Sequence, residues 1–228
     1  MILWIILFLL VVGISFLLAL RSMRDYQEIP QTKTTEYGLF RIRQIENFDE
    51  NILNSLREHI NAESLILSIE RLFKGKQTAL VVFGPKKVLG NFADRLNLLE
   101  LEDYAADLNH EDTSTWEIGM KNSKNISSEN LNNIFKNMPE LAGEDQFFWQ
   151  VVLGKHQTQI RAAFFNKDSQ RREVLIPLLQ DLGAGELVKI PRPFSKEQMM
   201  GFYQLRSVAN DSGMPVLTSS EITQLIKI

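Results

Sequence analysis

Residues 64–83 read SLILSIERLFKGKQTALVVF, and residues 146–165 read QFFWQVVLGKHQTQIRAAFF. Each stretch is two strongly apolar runs, Ser64 to Leu72 with Thr78 to Phe83 and Phe147 to Leu153 with Gln159 to Phe165. They meet at Lys74-Gly75-Lys76 in one and Gly154-Lys155 in the other, where glycine supplies the turn. An offset of 82 aligns the two hairpins, pairing Glu63 with Asp145, Leu67 with Trp149 and Phe83 with Phe165. One supersecondary unit is therefore written twice.

The flanks repeat the same grammar. Phe40 and Ile42 alternate with Arg41 and Arg43 as a half-buried strand, and Trp116, Ile118 and Met120 alternate in the second copy. Asp49 is placed to cap a helix carrying Ile52, Leu53, Leu56 and Ile60 on one face. Ser127 or Ser128 does the same before Leu131, Ile134, Phe135 and Met138. After the first hairpin, Pro85 opens a helix with Val88, Leu89, Phe92, Ala93 and Leu96; after the second, a helix over 169–182 contains Pro177 and is expected to kink or break. Leu99-Glu100-Leu101-Glu102 and Leu187-Val188-Lys189-Ile190 close the copies, aligned at an offset of 86, while the first strand and helix align at about 78. Two four-residue insertions in the second copy account for the drift.

The order βαββαβ, repeated, predicts an α+β fold: two tandem ferredoxin-like units, 37–105 and 113–191, each a four-stranded sheet with its helices on one face. A helical tail over 195–228 carries two capping boxes, Ser195 with Gln198 and Thr218 with Glu221. Its last apolar turn, Ile222, Leu225 and Ile226, calls for something that packs on it.

Ahead of the repeats, Met1 to Leu20 is an uncharged apolar run, about the length of a bilayer core at 1.5 Å per residue. It lacks a basic leader and a small-x-small cleavage site, so it reads as a retained transmembrane helix and a lipid-bilayer contact rather than a signal peptide. Arg21, Arg24 and Lys33 follow it, which places the remainder on the cytoplasmic side of a bacterial inner membrane. Residues 21–36, polar with Pro30, read as a tether.

The chain has no cysteine, a net charge of −3 and an isoelectric point near 5.7, so disulfides and thiolate metal sites are excluded and there is no global nucleic-acid footprint. Gly154-Lys155 is followed by His156 and preceded by Trp149 where a phosphate loop needs glycine, and it falls in a turn. His59, His110 and His156 share no ligand spacing, and the acidic run from Glu100 to Asp112 does not match a calcium loop. No nucleophile, metal or cofactor constellation emerges, so a non-enzymatic role is expected. Two surfaces remain. Phe147, Phe148 and Trp149 need cover on both faces of their strand, and with Glu100, Glu102, Asp103 and the segment 216–226 they are candidates for contact with a protein partner. Lys74, Lys76, Lys155, Arg171 and Arg172 recur at equivalent places in the two copies and are candidate contacts for DNA or lipid phosphate.

Several segments carry a resemblance: Val-Val-Phe-Gly-Pro-Lys at 81–86, Leu-Glu-Leu-Glu-Asp-Tyr at 99–104, Phe-Trp-Gln-Val-Val at 148–152 and Leu-Thr-Ser-Ser-Glu-Ile-Thr-Gln-Leu at 217–225. Together with the apolar N-terminus they resemble the membrane-proximal N-terminal region of bacterial type IV secretion and conjugative DNA-transfer proteins. In that family the region precedes a hexameric DNA-translocating ATPase. The resemblance implies a membrane-anchored docking subunit that assembles as an oligomer with an ATPase or channel partner. The ATPase half has no counterpart here, so no catalytic residue carries over, and a split subunit or a fragment is expected. The competing readings are an exported pilus or secretion alignment protein and a phosphate-binding module.

Overall fold

The computed structural model describes residues 12, 26–27, 35–120, 134–182, 187–209 and 215–226. The first half runs β1 (Tyr26–Gln27), β2 (Tyr37–Ile42), α1 (Glu50–Glu63), β3 (Leu67–Lys74), β4 (Gln77–Pro85), α2 (Lys86–Gly90), α3 (Ala93–Leu96) and β5 (Leu98–Leu101). The second runs β6 (Thr113–Met120), β7 (Gln146–Gly154), β8 (Gln157–Phe165), α4 (Ser169–Gln180) and β9 (Leu187–Ile190). A tail of α5 (Lys196–Gln204), β10 (Val208–Ala209) and α6 (Ser219–Ile226) follows.

The strands form one antiparallel sheet of eight, in the order β5-β2-β4-β3-β7-β8-β6-β9, with β1 and β10 as a separate ribbon. This corrects the expectation of two independent four-stranded units. The second strands of the two copies pair with each other, in register from Leu67 opposite Leu153 to Lys74 opposite Gln146. The physical reason lies in the composition of β7, whose residues from Phe147 to Leu153 are all buried. A strand apolar on both faces is suited to the middle of a sheet, and the joint satisfies backbone groups that either copy alone would leave open.

The transmembrane expectation is also corrected. Among the described residues no helix is long and apolar enough to cross a membrane. The longest, α1, has 14 residues, about 21 Å against a hydrocarbon core of roughly 30 Å. The single-pass inner-membrane localisation is therefore not carried forward. Met1 to Leu20, apart from Val12, and most of the tether lie outside the described residues.

One face of the sheet carries the helices and one continuous core through both halves. Ile42, Leu80, Val82, Ile69, Trp149, Val151, Ile160, Trp116 and Ile118 meet Leu53, Leu56 and Ile60 of α1 and Leu175 and Leu179 of α4 there. Asp49 caps α1 by accepting from the Ile52 amide at 2.9 Å, and the four apolar positions expected on its inner face are all buried. Gly75 turns the first hairpin at φ +53°, with backbone of Ala142 and Gly143 only 3.3 Å from where a Cβ would sit. The helix expected after Pro85 is broken at Asn91 and Phe92 into α2 and α3. By contrast α4 runs through Pro177 without a break. Pro177 is exposed, so the carbonyl it leaves free faces water. The expected first helix of the second copy, capped at Ser127 or Ser128, begins outside the described residues; of its expected apolar positions Ile134, Phe135 and Met138 are described, and there 134–137 form a turn rather than a helix, with Ile134 buried.

The tail is not an appendage. It crosses the opposite face of the sheet as α5, passes the end of the sheet where Val208 packs on Ile66 and Val152, and returns to the helix face as α6. There Leu217 accepts from Arg57 at 2.7 Å, and Ser219 donates to Asn54 at 2.5 Å. Ile222, Leu225 and Ile226 join the main core beside α1. Both expected capping boxes form. The segment 216–226, a candidate partner surface on sequence, is thus largely occupied by contacts with its own chain. Leu225→Ala, at a fully buried position, should destabilise the protein by about 2–4 kcal/mol, read as a lower urea midpoint in equilibrium unfolding followed by near-UV circular dichroism.

Candidate functional site

On the tail-covered face the middle of the sheet is polar. Glu70 of β3 lies directly opposite Gln150 of β7, and both are fully buried. Glu70 Oε1 accepts from Ser68 Oγ at 2.7 Å, Gln150 Nε2 at 3.1 Å and Arg206 Nε at 3.0 Å, while Oε2 accepts from Tyr104 Oη at 2.7 Å. Arg206 then forks onto Asp103, with Nη1 at 2.5 Å and Nη2 at 2.7 Å from the two carboxylate oxygens. Its guanidinium also stacks 4.2 Å above the centroid of Phe83, a cation–π contact in a desolvated setting. Tyr104 and Tyr203 share a hydrogen bond of 2.6 Å.

The tail's backbone is held by the same row of side chains. Gln150 donates to the Tyr203 carbonyl at 3.3 Å and Arg161 to that of Phe202 at 3.2 Å. Gln204 donates to the carbonyls of Ala105 and Leu108, both at 2.9 Å. A second buried carboxylate, Glu117 on β6, is met by Arg192 at 2.6 and 3.2 Å. Arg206 reaches the centre because its backbone is left-handed, at φ 49°. That conformation costs a residue with a side chain roughly 1–2 kcal/mol.

These contacts fix protonation. Burial works against the charge of Arg206, yet Glu70 and Asp103 hold its pKa above the ordinary arginine value. Burial, reinforced by Glu70, pushes both Tyr104 and Tyr203 well above the usual tyrosine range. Both phenols therefore stay neutral and serve as hydrogen-bonding groups. Among the described residues no group of three or more His, Cys, Asp or Glu side chains stands where it could hold a metal ion.

Beside the cluster the same face is open. A cleft of about 580 Å³ is floored by Leu72, Ala79, Tyr104 and Phe148, and among the described residues Arg41 and Lys74 are the only acidic or basic side chains that line it.

The residues singled out on sequence are dispersed. Phe147, Phe148 and Trp149 are 0, 4 and 1 % exposed, so the aromatic strand lies inside the sheet; Phe148 stacks on Tyr104 with centroids 4.8 Å apart. Asp103 is bound to Arg206, Glu100 pairs with Lys86 at 2.7 Å, and Glu102 is exposed. Because β3 and β7 are antiparallel, the two hairpin turns point to opposite ends of the sheet. Lys74 and Lys76 are exposed at one end and Lys155 at the other. At the Lys74 end, Lys74 and Lys76 border an open depression of about 480 Å³ with Glu140 to Gly143. Arg171 sits at that end too, but it is spent on Asp145, at 2.8 Å. Arg172 donates to the Asn166 carbonyl and lies 3.7 Å from Asp112. The five cations do not converge on one surface.

Glu70, Tyr104, Tyr203 and Arg206 were not singled out on sequence. The signal for Glu70 is present but hidden by the alignment. The hairpins close at Lys74 opposite Gln77 and at Gly154 opposite Gln157, an offset of 80 rather than 82. The two-residue difference preserves which face each side chain takes, and so the apolar pattern does not expose it. At the structural offset Glu70 is the repeat equivalent of Gln150, its own cross-strand partner. No protein-family profile matches the chain, and no curated protein matches it.

Arg206→Ala leaves Glu70 and Asp103 without their cation and should cost about 3–5 kcal/mol. Arg206→Gly, which relieves the left-handed backbone, should recover about 1 kcal/mol of that loss; chemical denaturation of the two variants side by side measures the difference. A second test concerns Asp145, whose side chain is fully buried. Burial alone would raise its pKa, but Arg171, the Ala142 amide and Asn166 together hold it below the usual carboxylate value. Its ionised form is thus favoured in the folded state. The resulting stability is present above about pH 4, the ordinary aspartate range, and is lost as the pH falls through the lower folded value. Asp145→Asn should lower stability at pH 7 and flatten the decline below pH 4, measured as the unfolding midpoint against pH.

Proposed function

We propose that this chain is a non-enzymatic docking subunit whose partner surface is the open cleft on the tail-covered face. The observation that carries this reading is the division of that face into two parts. Around Glu70 its ionisable groups are bound to one another, whereas among the described residues the open recess presents an apolar and aromatic floor lined by Arg41 and Lys74 and by no acid. Such a surface is complementary to an acidic protein segment that also carries apolar side chains. The open shape suits an extended or helical segment better than a small molecule, which is usually enclosed on most of its surface.

The partner class comes from the sequence resemblance, which points to an ATPase or channel subunit of a type IV secretion or conjugation-like machine. Within that assembly the duplicated sheet acts as a rigid platform, and the partner performs any chemistry. The alternative phosphate-contacting role is less favoured, because Lys155 lies at the far end of the sheet and Arg171 is committed to Asp145.

The reading is tested by purifying the tagged full-length chain from its native cells, wild type beside an Arg41→Glu/Lys74→Glu variant. An ATPase or channel subunit should accompany the wild-type chain and bind it directly when both are purified. The double variant should bind at least about tenfold more weakly, a change of 1.4 kcal/mol. Equal binding to both forms moves the docking surface elsewhere, and absence of any such subunit from the wild-type preparation refutes the assignment.

A further inference from the structure

Among the described residues the eight-stranded sheet ends in two edges with no further strand, β5 on one side and β9 on the other. Each is only four residues long. Open strands present unpaired amide and carbonyl groups, which proteins commonly protect by keeping the edge short and placing a charge on it. Both edges carry such a charge, and the two have opposite sign. Glu100 is exposed at the centre of β5, and Lys189 is exposed on β9. Lys86 bridges Glu100 at 2.7 Å and Glu36 at 2.6 Å. One cation shared between two carboxylates leaves the β5 edge negative, and Glu102 adds to it.

We infer that the β5 edge of one molecule pairs with the β9 edge of a second copy, extending the sheet head to tail. The strand directions permit this pairing. Eight strands that alternate strictly leave β5 and β9 running opposite ways, so a neighbour turned by the accumulated twist of the sheet continues the antiparallel pattern with its helix face continuous with that of the first copy. Side-chain parity agrees as well. Glu100 lies opposite Phe40 and Lys189 opposite Ile118, both on the helix face. The register that sets Glu100 against Lys189 also sets Leu99 against Ile190 and Leu101 against Val188 on the other face. Cross-strand pairs of opposite charge and of apolar side chains are the stabilising kind.

Charge also selects among the possible pairings. A β5–β5 contact brings Glu100 and Glu102 against their own copies, and a β9–β9 contact brings Lys189 near Lys189; like charges across a strand pair are destabilising. The same residues that oppose symmetric pairing favour the mixed one. A head-to-tail contact between unlike patches closes into a ring or continues as a filament. Two four-residue strands bury less than the roughly 1,200 Å² of a stable complex. A single contact is therefore weak, and ring closure or tethering to a partner would reinforce it.

The chain has no cysteine, which gives a direct test in the full-length protein. β5 and β9 are separated by seven strand spacings, roughly 34 Å at about 4.8 Å each, far beyond the reach of a disulfide. Leu99→Cys and Ile190→Cys in one chain can then be bridged only between copies. Mild oxidation of this double variant should yield a ladder of oligomers on a non-reducing gel, collapsing on reduction, while each single variant stays monomeric. The ladder should weaken at least tenfold when Lys189→Glu is added and recover when Glu100→Lys joins it. A dimer from either single variant would indicate symmetric edge pairing and overturn the inference. So would the absence of a ladder from the double variant, or a ladder unaffected by Lys189→Glu; circular dichroism establishes that each variant is folded.

Discussion

A carboxylate buried at the centre of the sheet, facing its own repeat equivalent, is the constraint on which the architecture turns. Glu70 and Gln150 are cross-strand partners and occupy the same place in the two copies. The pseudo-twofold axis relating the halves therefore passes between them. Two glutamates there would repel each other in a medium that cannot screen them, and two glutamines would provide no charge to neutralise. One of each gives a hydrogen bond of 3.1 Å and a single negative charge. That charge needs a cation. Arg206 brings one from the tail, 136 residues away in sequence. The tail's path across the face follows from this requirement.

Once anchored, the tail ties the halves together by more than the ion pair. It crosses the joint on one face through α5, rounds the end of the sheet at Val208 and fills the helix layer next to α1 with α6. Each leg draws on a different interaction: charge and backbone acceptors at the centre, methyl packing at the end, apolar burial on the far side. A buried ion pair by itself contributes little net stability, because desolvation offsets most of the attraction. Its role here is better described as specification. The fork between Arg206 and Asp103, with the left-handed backbone that delivers it, accepts only one placement of the tail on a face that apolar packing alone would leave less defined.

Much of this was legible in the residues. The duplication, the hairpins, the Asp49 cap, the inner face of α1 and both tail capping boxes follow from spacing rules that act over a few residues. What was not legible acts over distance. Nothing local in Phe147–Trp149 says whether the second face of that strand is covered by a partner or by its own twin, and the structure shows it inside the sheet. Asp103 and Glu100 look alike in an acidic run, yet Asp103 is committed to an arginine about a hundred positions away while Glu100 remains at the edge. Arg206 sits in the unremarkable sequence Leu-Arg-Ser, where a positive φ at a residue other than glycine leaves no trace. The alignment offset failed for a related reason: apolar periodicity in strands repeats every two residues, and a slip of two is invisible to it.

Duplication with only one tail has a further physical consequence. The two halves of the sheet are related by pseudo-symmetry, but the tail breaks it, crossing the common face once and burying one carboxylate under Arg206 and another, Glu117, under Arg192. Equivalent positions consequently meet different environments and are free to diverge in charge. The divergence extends to the outermost strands, where the closing strand of one copy became acidic and that of the other basic. A symmetric pair of edges would favour a closed two-fold dimer. A pair differentiated in sign has direction, because a contact between unlike edges sets every successive copy in the same relation to the one before it, around a ring or along a filament.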